Sequence, residues 1–577
     1  LTISQPDGST LVINQGTSRA TGDWSSFDIG RGEKVEIHQP SSNSLMLGRV
    51  VGGSPTDIQG SLSATGGVIL INPYGMLISP DAGINTASFT ATTSDVNPDL
   101  FMAGGPIQFV APSISTSDAK IINQGTISVS DAGIVALLAP QVENKGVITA
   151  KLGQIYLDSG TSATLDLAGD GLLNVALDPR TTGIITNDGT LSAGYVRVGG
   201  GDAAGFVNAA INLNGFIEAT GLSGDSGSID VNTSGDIFVY GNIESVGLSD
   251  GEIGGTIKIL GDRIALMDDA VIDVSGSAGG GEILLGGNYL GLGPEPNASV
   301  TVVTTDSRIF ADATKTGDGG RIIVWSDDYT GFYGSISATG SDTGEGGFVE
   351  TSSKYNLQAF GSVAVDSGLG GGSWLLDPAN LTISTGGGDV NIGTVGTVFS
   401  ANNNTANIQI GTITAALAGA GVTVDIRTDG GGGQQGDITL ANNIDYNGIG
   451  QGDTLRFIAE GDIIIDGSIT DGTAASLDDL NISFSAGEGA ASGQIDINEN
   501  IITSGGSFTA RNNAGGLANE DFDLAASKVI DTSGANANVG VGFVAQAGGV
   551  IDIQVTGQLN IQGNLDSSGG NQDATNA

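Results

Sequence analysis

The sequence predicts an all-β fold, a solenoid of short stacked strands. Three observations carry this. Apolar stretches of about four to six residues alternate with polar ones along the whole chain, the period of a half-buried strand. Glycine supplies 97 of the 577 residues, roughly 17% against a usual ~7%, so turns are frequent. The strand–turn units also recur at a regular spacing. Collagen would need glycine at every third position and abundant proline, yet there are only 13 prolines. Disorder would need few β-branched residues, and Ile, Val and Thr occur throughout.

The elements follow in order. Leu1-Thr2-Ile3-Ser4 and Leu11-Val12-Ile13-Asn14 read as short strands separated by turns at Asp7-Gly8 and Gln15-Gly16. Residues 21–110 have longer strands and less regular loops, as suits a cap that starts a stack. From residue 121 a repeat is plain: Asn123-Gln124-Gly125-Thr126-Ile127, Asn144-Lys145-Gly146-Val147-Ile148 and Asn187-Asp188-Gly189-Thr190-Leu191. The first two asparagines are 21 residues apart and the next two 43, about two such periods. Here glycine is expected to permit a sharp turn. A second repeat type begins at Ile217, Ile243, Ile272, Ile309 and Ile336, with spacings of 26, 29, 37 and 27. The long interval, containing Gly286-Gly287-Asn288-Tyr289-Leu290 and Pro294 to Pro296, reads as an insertion projecting from the stack. A lone strand cannot bury its apolar face, whereas strands stacked one coil above another share a core and a hydrogen-bond ladder. A β-sandwich array would need periods near ~100 residues with linkers, which are not seen.

The stretch Ile69-Leu70-Ile71-Asn72-Pro73-Tyr74-Gly75-Met76-Leu77-Ile78 places two apolar runs around a turn. Proline suits the second position of a β-turn, glycine tolerates φ > 0, and asparagine bonds its own backbone. Upstream lie Phe27-Asp28-Ile29, Val35-Glu36-Ile37-His38-Gln39-Pro40 and the segment from Gly53 to Leu62; downstream lies Ala87 to Val96. This ordered set resembles the secretion domain of filamentous-haemagglutinin-like exoproteins, the exported partners of two-partner secretion systems. The family's turn reads Asn-Pro-Asn-Gly-Ile; here it is Asn72, Pro73, Tyr74, Gly75 and Met76, departing at two positions. Gly319-Gly320-Arg321-Ile322-Ile323-Val324-Trp325, Gly346-Gly347-Phe348-Val349-Glu350-Thr351 and Trp374-Leu375-Leu376-Asp377-Pro378 resemble the high-molecular-weight adhesin branch of the same family.

The resemblance implies a right-handed parallel β-helix with an N-terminal capping secretion domain at 1–205. A β-helix shaft with adhesin-like repeats at 206–380 and a more divergent β-rich region at 381–577 complete the expected division. It implies an outer-membrane β-barrel transporter as partner, and a secreted rod at the surface of a Gram-negative bacterium that attaches to cells or surfaces. A host-cell, glycan or matrix ligand is not named by the sequence. An extracellular matrix or filament-forming protein that binds polysaccharide or itself is the alternative, with a polysaccharide-degrading β-helix behind it.

Charge and composition narrow the chemistry. A net charge of −44 repels phosphate backbones and anionic membrane surfaces, so nucleic-acid binding is not expected. Cysteine is absent, which suits a chain that crosses an oxidising periplasm unfolded. No apolar run approaches the ~18 residues of a membrane span, so the segment reads as soluble. It starts at Leu1 without a charged-then-apolar leader, the expectation for a processed start. His38 is the single histidine, and zinc thiolates are impossible, so no catalytic triad, metal site or cofactor is expected. The adjacent acids Asp268-Asp269, Asp327-Asp328 and Asp478-Asp479 point to opposite strand faces and do not converge by themselves. No enzyme is expected. Acidic turns at Asp318 and Asp429 read as solvated, because the calcium-binding nonapeptide of β-rolls is lacking. Glycosylation sequons stand at Asn232, Asn297, Asn380, Asn403 and Asn481, with Asn297 in the insertion the most accessible.

Overall fold

The computed structural model describes residues 1–112, 119–160, 163–165, 173–174, 183–199, 210–220, 227–386, 406–428, 435–446, 452–471, 479–488, 493–512, 520–534, 547–555 and 558–569. The chain divides into two compact units. One comprises Leu1–Ile264 with Asp269–Asp273; the other comprises Ala265–Asp268 with Val274–Ala577. Each is a parallel β-helix in its own right.

In the first unit the initial strand, Thr2–Ser4, runs antiparallel to Thr10–Asn14. Among the described residues, the coils that follow stack parallel strands on it. Leu11, Val35, Leu62, Ile84, Ile127, Ile148, Leu191, Ile217 and Ile243 lie directly above one another. From Val35 onward these side chains are buried. The period-2 alternation therefore aims one column of β-branched and leucine side chains inward, and stacking removes it from water at about 25 cal/mol per Å².

This column corrects the repeat assignment. The Asn-x-Gly and Ile-x-Ala units are one repeat, because Gly189-Thr190-Leu191 and Gly215-Phe216-Ile217 occupy the same place in consecutive coils. What changes is the asparagine position, which becomes Leu213 and then Val239. The glycines also do a different job from the one expected. Gly125, Gly146, Gly189, Gly215 and Gly241 are not in the left-handed region. They are required by contact: a Cβ on Gly146, Gly189, Gly215 or Gly241 would sit 2.0–2.1 Å from the carbonyl oxygen of the glycine one coil before.

One excursion leaves the first helix of coils. Asp95–Val96, the α-helix Pro98–Ala103 and Ile107–Val110 fold over the outside. Asn97 caps the helix by accepting from the backbone N–H groups of Asp99 and Leu100. Val96, Phe101, Ile107 and Phe109 then bury Leu45, Leu47, Ile69, Ile71, Ile134, Ala136, Leu138 and Tyr156. The strands beneath are consequently apolar on both faces, as Gly67–Ile71 shows by being buried at every residue.

The second unit repeats the logic with another column: Ile283, Ile322, Val349, Trp374, Val424, Leu455, Ile482 and Phe508. All are buried. Phe457 stacks on Phe484 at 5.1 Å, and Phe484 meets Phe508 edge-on at 5.5 Å. The segment between Glu282–Leu285 and Val300–Val303 does not project, contrary to expectation. It lies back on the sheet. The Leu290 N–H donates to both carboxylate oxygens of Glu350 at 3.2 Å, and the Asn288 side chain accepts from Arg321 at 3.3 Å.

Candidate functional site

The turn after Ile71 is built by its neighbours in sequence and in space. Ile69 and Leu70 pair with Leu47 and Gly48 below and with Thr90 and Ala91 above, which delivers Asn72 to a coil corner with no exposed surface. There its side chain is fully used. Asn72 Nδ2 donates to the Ser54 carbonyl at 3.0 Å and to Thr56 Oγ1 at 2.9 Å. Its Oδ1 accepts from the Tyr74 N–H at 3.0 Å, an Asx turn. The Gly75 N–H closes a β-turn onto the Asn72 carbonyl at 3.0 Å, with Pro73 at its second position.

Gly75 is constrained twice. Its φ is +100°, and a Cβ there would lie 2.6 Å from the Lys120 carbonyl oxygen in the next coil. Its own carbonyl accepts from the Thr56 N–H at 3.1 Å, while the Asn72 N–H donates to the Thr92 carbonyl at 3.0 Å. The turn is thus tied to the coils on both sides. Met76, 2% exposed, starts a strand held between Thr56 and Ile121.

This geometry accounts for the two departures from the family's turn. Position 74 contributes its backbone N–H to Asn72, so a half-buried tyrosine serves as well as an asparagine. Position 76 needs only an apolar side chain of suitable volume. Ser54, Thr56, Thr92 and Lys120 were not singled out from sequence as partners of the turn. Ser54 and Thr56 lie in the Gly53 to Leu62 stretch upstream of the turn, but their contact with Asn72 spans 16–18 residues.

The other candidates are placed apart from this corner. His38 is solvent-facing, 3.7 Å from Glu36. Asp327 Oδ1 accepts from Asn297 Nδ2 at 3.1 Å and from Trp325 Nε1 at 3.3 Å. Asn297 Nδ2 also donates to the Gly291 carbonyl at 2.9 Å. The sequon expected to be most accessible therefore has its amide nitrogen turned to the protein, because the insertion packs down. Asn380 Oδ1 accepts from the backbone N–H groups of Gly436 and Asp437, and Asn481 Oδ1 from that of Ser507. Asn232 ends the strand Ser228–Asn232 and is half-buried. Asn403, Asp429 and Asp478 lie outside the described residues. Among the described residues, no three His, Asp or Glu side chains are grouped to hold a metal ion.

A parallel β-helix whose early coils are locked by a buried turn and clad by an outer excursion defines a solenoid with a purpose-built start. Comparison with known proteins identifies the kind. The family model described as the TPS secretion domain matches residues 2–245. The crystal structure of the HMW1 secretion domain from Haemophilus influenzae superposes with a TM-score of 0.54 at 31% identity, covering 65% of this chain and 97% of that one. The chain belongs to the two-partner-secretion exoproteins that carry this domain. A heme/hemopexin-binding protein of Haemophilus influenzae strain Rd is 34% identical over 228 residues, 38% of this chain and 25% of the relative. A second Haemophilus influenzae protein of that name is 29% identical over 277 residues, 42% of this chain and 29% of the relative. The matches thus span little more than a quarter of the length of these curated relatives.

Proposed function

We propose that the chain is exported across the outer membrane of a Gram-negative bacterium by a two-partner β-barrel transporter and acts outside as an adhesin-like exoprotein. The observation that carries the export reading is the closed network at Asn72. It lies inside the matched secretion domain and joins the coils on both sides of the turn. A chain that emerges unfolded needs a place to start stacking, and a corner that fixes three coils at once lowers the cost of the first ones. The attachment role is supported by the resemblance of the motifs at Gly319 to Trp325, Gly346 to Thr351 and Trp374 to Pro378 to the adhesin branch of the family, and we assign the chain no catalysis. The test is co-expression with and without the cognate transporter. Protease-sensitive, folded chain outside the cell only when the transporter is present supports export by this route; equal release without it refutes the reading. Adherence of coated beads to epithelial cells tests the attachment role separately.

A second reading follows from the name of the two Haemophilus influenzae relatives: capture of haem or of a haem-carrying protein. It is tested by titrating haemin and hemopexin onto the purified chain and following the Soret band and mass. Absence of both complexes removes it.

A further inference from the structure

In the second unit, successive coils present the triplets Gly280-Gly281-Glu282, Gly319-Gly320-Arg321, Gly346-Gly347-Phe348 and Gly371-Gly372-Ser373 at one corner. Glu282, Arg321, Phe348 and Ser373 are in direct parallel register. At ~4.8 Å per coil this column of partly exposed side chains runs about 15 Å. Beside it lies a trough of about 440 Å³, floored by the glycines and bordered by Asp318 and Glu345 on its other side. The floor cannot be filled by side chains, because a Cβ on Gly319 would lie 2.1 Å from the Ala338 carbonyl oxygen and one on Gly346 1.8 Å from that of Val365.

The walls are fixed before any ligand arrives. Phe348 packs on Leu284, Ile323 and Trp325 and meets Tyr289 edge-on at 5.8 Å. Arg321 is held by Glu282 at 2.6 Å and by Asn288 at 3.3 Å. The Asp318 carboxylate accepts the Glu345 N–H at 2.8 Å. Such preorganisation removes the ordering cost that usually weakens binding to long polar side chains.

We infer that this trough is a binding site for a neutral glycan segment of about three sugar units. The column is three coil spacings long, about 15 Å, which sets the segment at about three rings rather than a single sugar. An aromatic ring beside acidic and guanidinium groups offers a face for sugar C–H bonds and planar partners for pairs of hydroxyls. An extended peptide is disfavoured, because the strands here have their backbone groups paired with the coils above and below, which leaves no sheet edge for strand addition. The chain's net charge of −44 and the two acids on the trough disfavour anionic glycans. This inference deepens the attachment reading and rests on it.

The test is titration calorimetry of the intact chain with cellohexaose, maltohexaose and chitohexaose, with oligogalacturonate as the anionic comparison. At least one neutral hexasaccharide should bind with saturation. Phe348→Ala should weaken it by about tenfold or more, Phe348→Trp should retain it, and Asp318→Asn should weaken it without lowering the melting temperature. No binding of the three neutral sugars at about 10 mM, or unchanged binding by Phe348→Ala, overturns the inference. Preferred binding of oligogalacturonate overturns it as well. Cell adherence without sugar binding would refute the trough and leave attachment standing; sugar binding without adherence would do the reverse.

Discussion

Asn144 Nδ2 donates to Asn187 Oδ1 one coil above at 2.7 Å, and both side chains are fully buried. Asn123 Nδ2 donates to Asn144 Oδ1 at 2.8 Å from the coil below. The three amides form a ladder inside the first unit, ended by Asn187 Nδ2 on the Gly189 carbonyl at 3.2 Å. The middle rung serves two neighbours. Asn144→Ala strands a donor on Asn123 and an acceptor on Asn187, and should cost roughly 2–4 kcal/mol. Asn187→Leu removes the end rung, continues the apolar column of Leu213 and Val239, and should cost less. Urea denaturation of the intact chain checks the order; a larger loss at Asn187 contradicts the ladder.

The stacked glycines give a second expectation. Gly189→Ala places a methyl 2.1 Å from the Gly146 carbonyl oxygen and 2.9 Å from the buried Asn144 amide nitrogen, whereas a Cβ on Gly83 meets nothing within 4 Å. Gly189→Ala should lower stability by about 1–3 kcal/mol, and Gly83→Ala should stay within about 0.5 kcal/mol of the parent. Equal melting temperatures for the two variants would show that the coils part without cost.

The inward columns were legible because strand alternation has a period of two and each coil repeats it. Ile127, Ile148 and Leu191 announce their register by the Asn-x-Gly that precedes them. The join to Ile217 was not legible, since the rung residue changes from Asn187 to Leu213 while the geometry stays the same. At the candidate site the turn itself could be read, because Asn72, Pro73 and Gly75 act locally. Its anchors Ser54, Thr56, Thr92 and Lys120 could not, because they come from coils that meet only after folding. Glu350 shows the same limit. Alternation from inward Val349 sends it outward, yet the insertion covers it.

That cover has a consequence for pH. Burial pushes the Glu350 carboxyl up to about 8, opposed by hydrogen bonds from Leu290 and Ser352 and by nearby Arg321, and assisted by Asp377. The folded state then holds a proton that the unfolded chain releases near 4.5. This contribution to stability is complete below about pH 4.5, declines as pH rises, and is lost above about 8, a change on the order of a few kcal/mol. Glu350→Gln keeps an acceptor for the Leu290 N–H and does not titrate. The parent should lose more stability than Glu350→Gln between pH 5 and pH 8.5 in parallel urea titrations. Parallel pH curves would mean that Glu350 is ionised in the folded protein throughout.

The last expectation concerns export. Asn72→Ala deletes the donors to Ser54 and Thr56 and the acceptor for Tyr74, a loss of about 2–3 kcal/mol at a single corner. Gly75→Val forces a β-branched residue to φ +100° and drives its Cβ into the Lys120 carbonyl. Both changes loosen the coils around residues 54–58, 72–78 and 120–123 while leaving the second unit's columns intact. If stacking begins at this corner, both variants should be secreted several-fold less than the parent and accumulate or degrade in the periplasm. Tyr74→Asn should be secreted normally, because the turn uses only the backbone N–H of that position. Asn232→Ala, at the end of a later strand, should also be normal. Quantitative blots of medium and periplasm, with the transporter co-expressed, separate the cases. A uniform small decrease across all four variants would mean that the turn stabilises the fold without any special part in export, and normal secretion of both Asn72→Ala and Gly75→Val would remove the corner from the export mechanism.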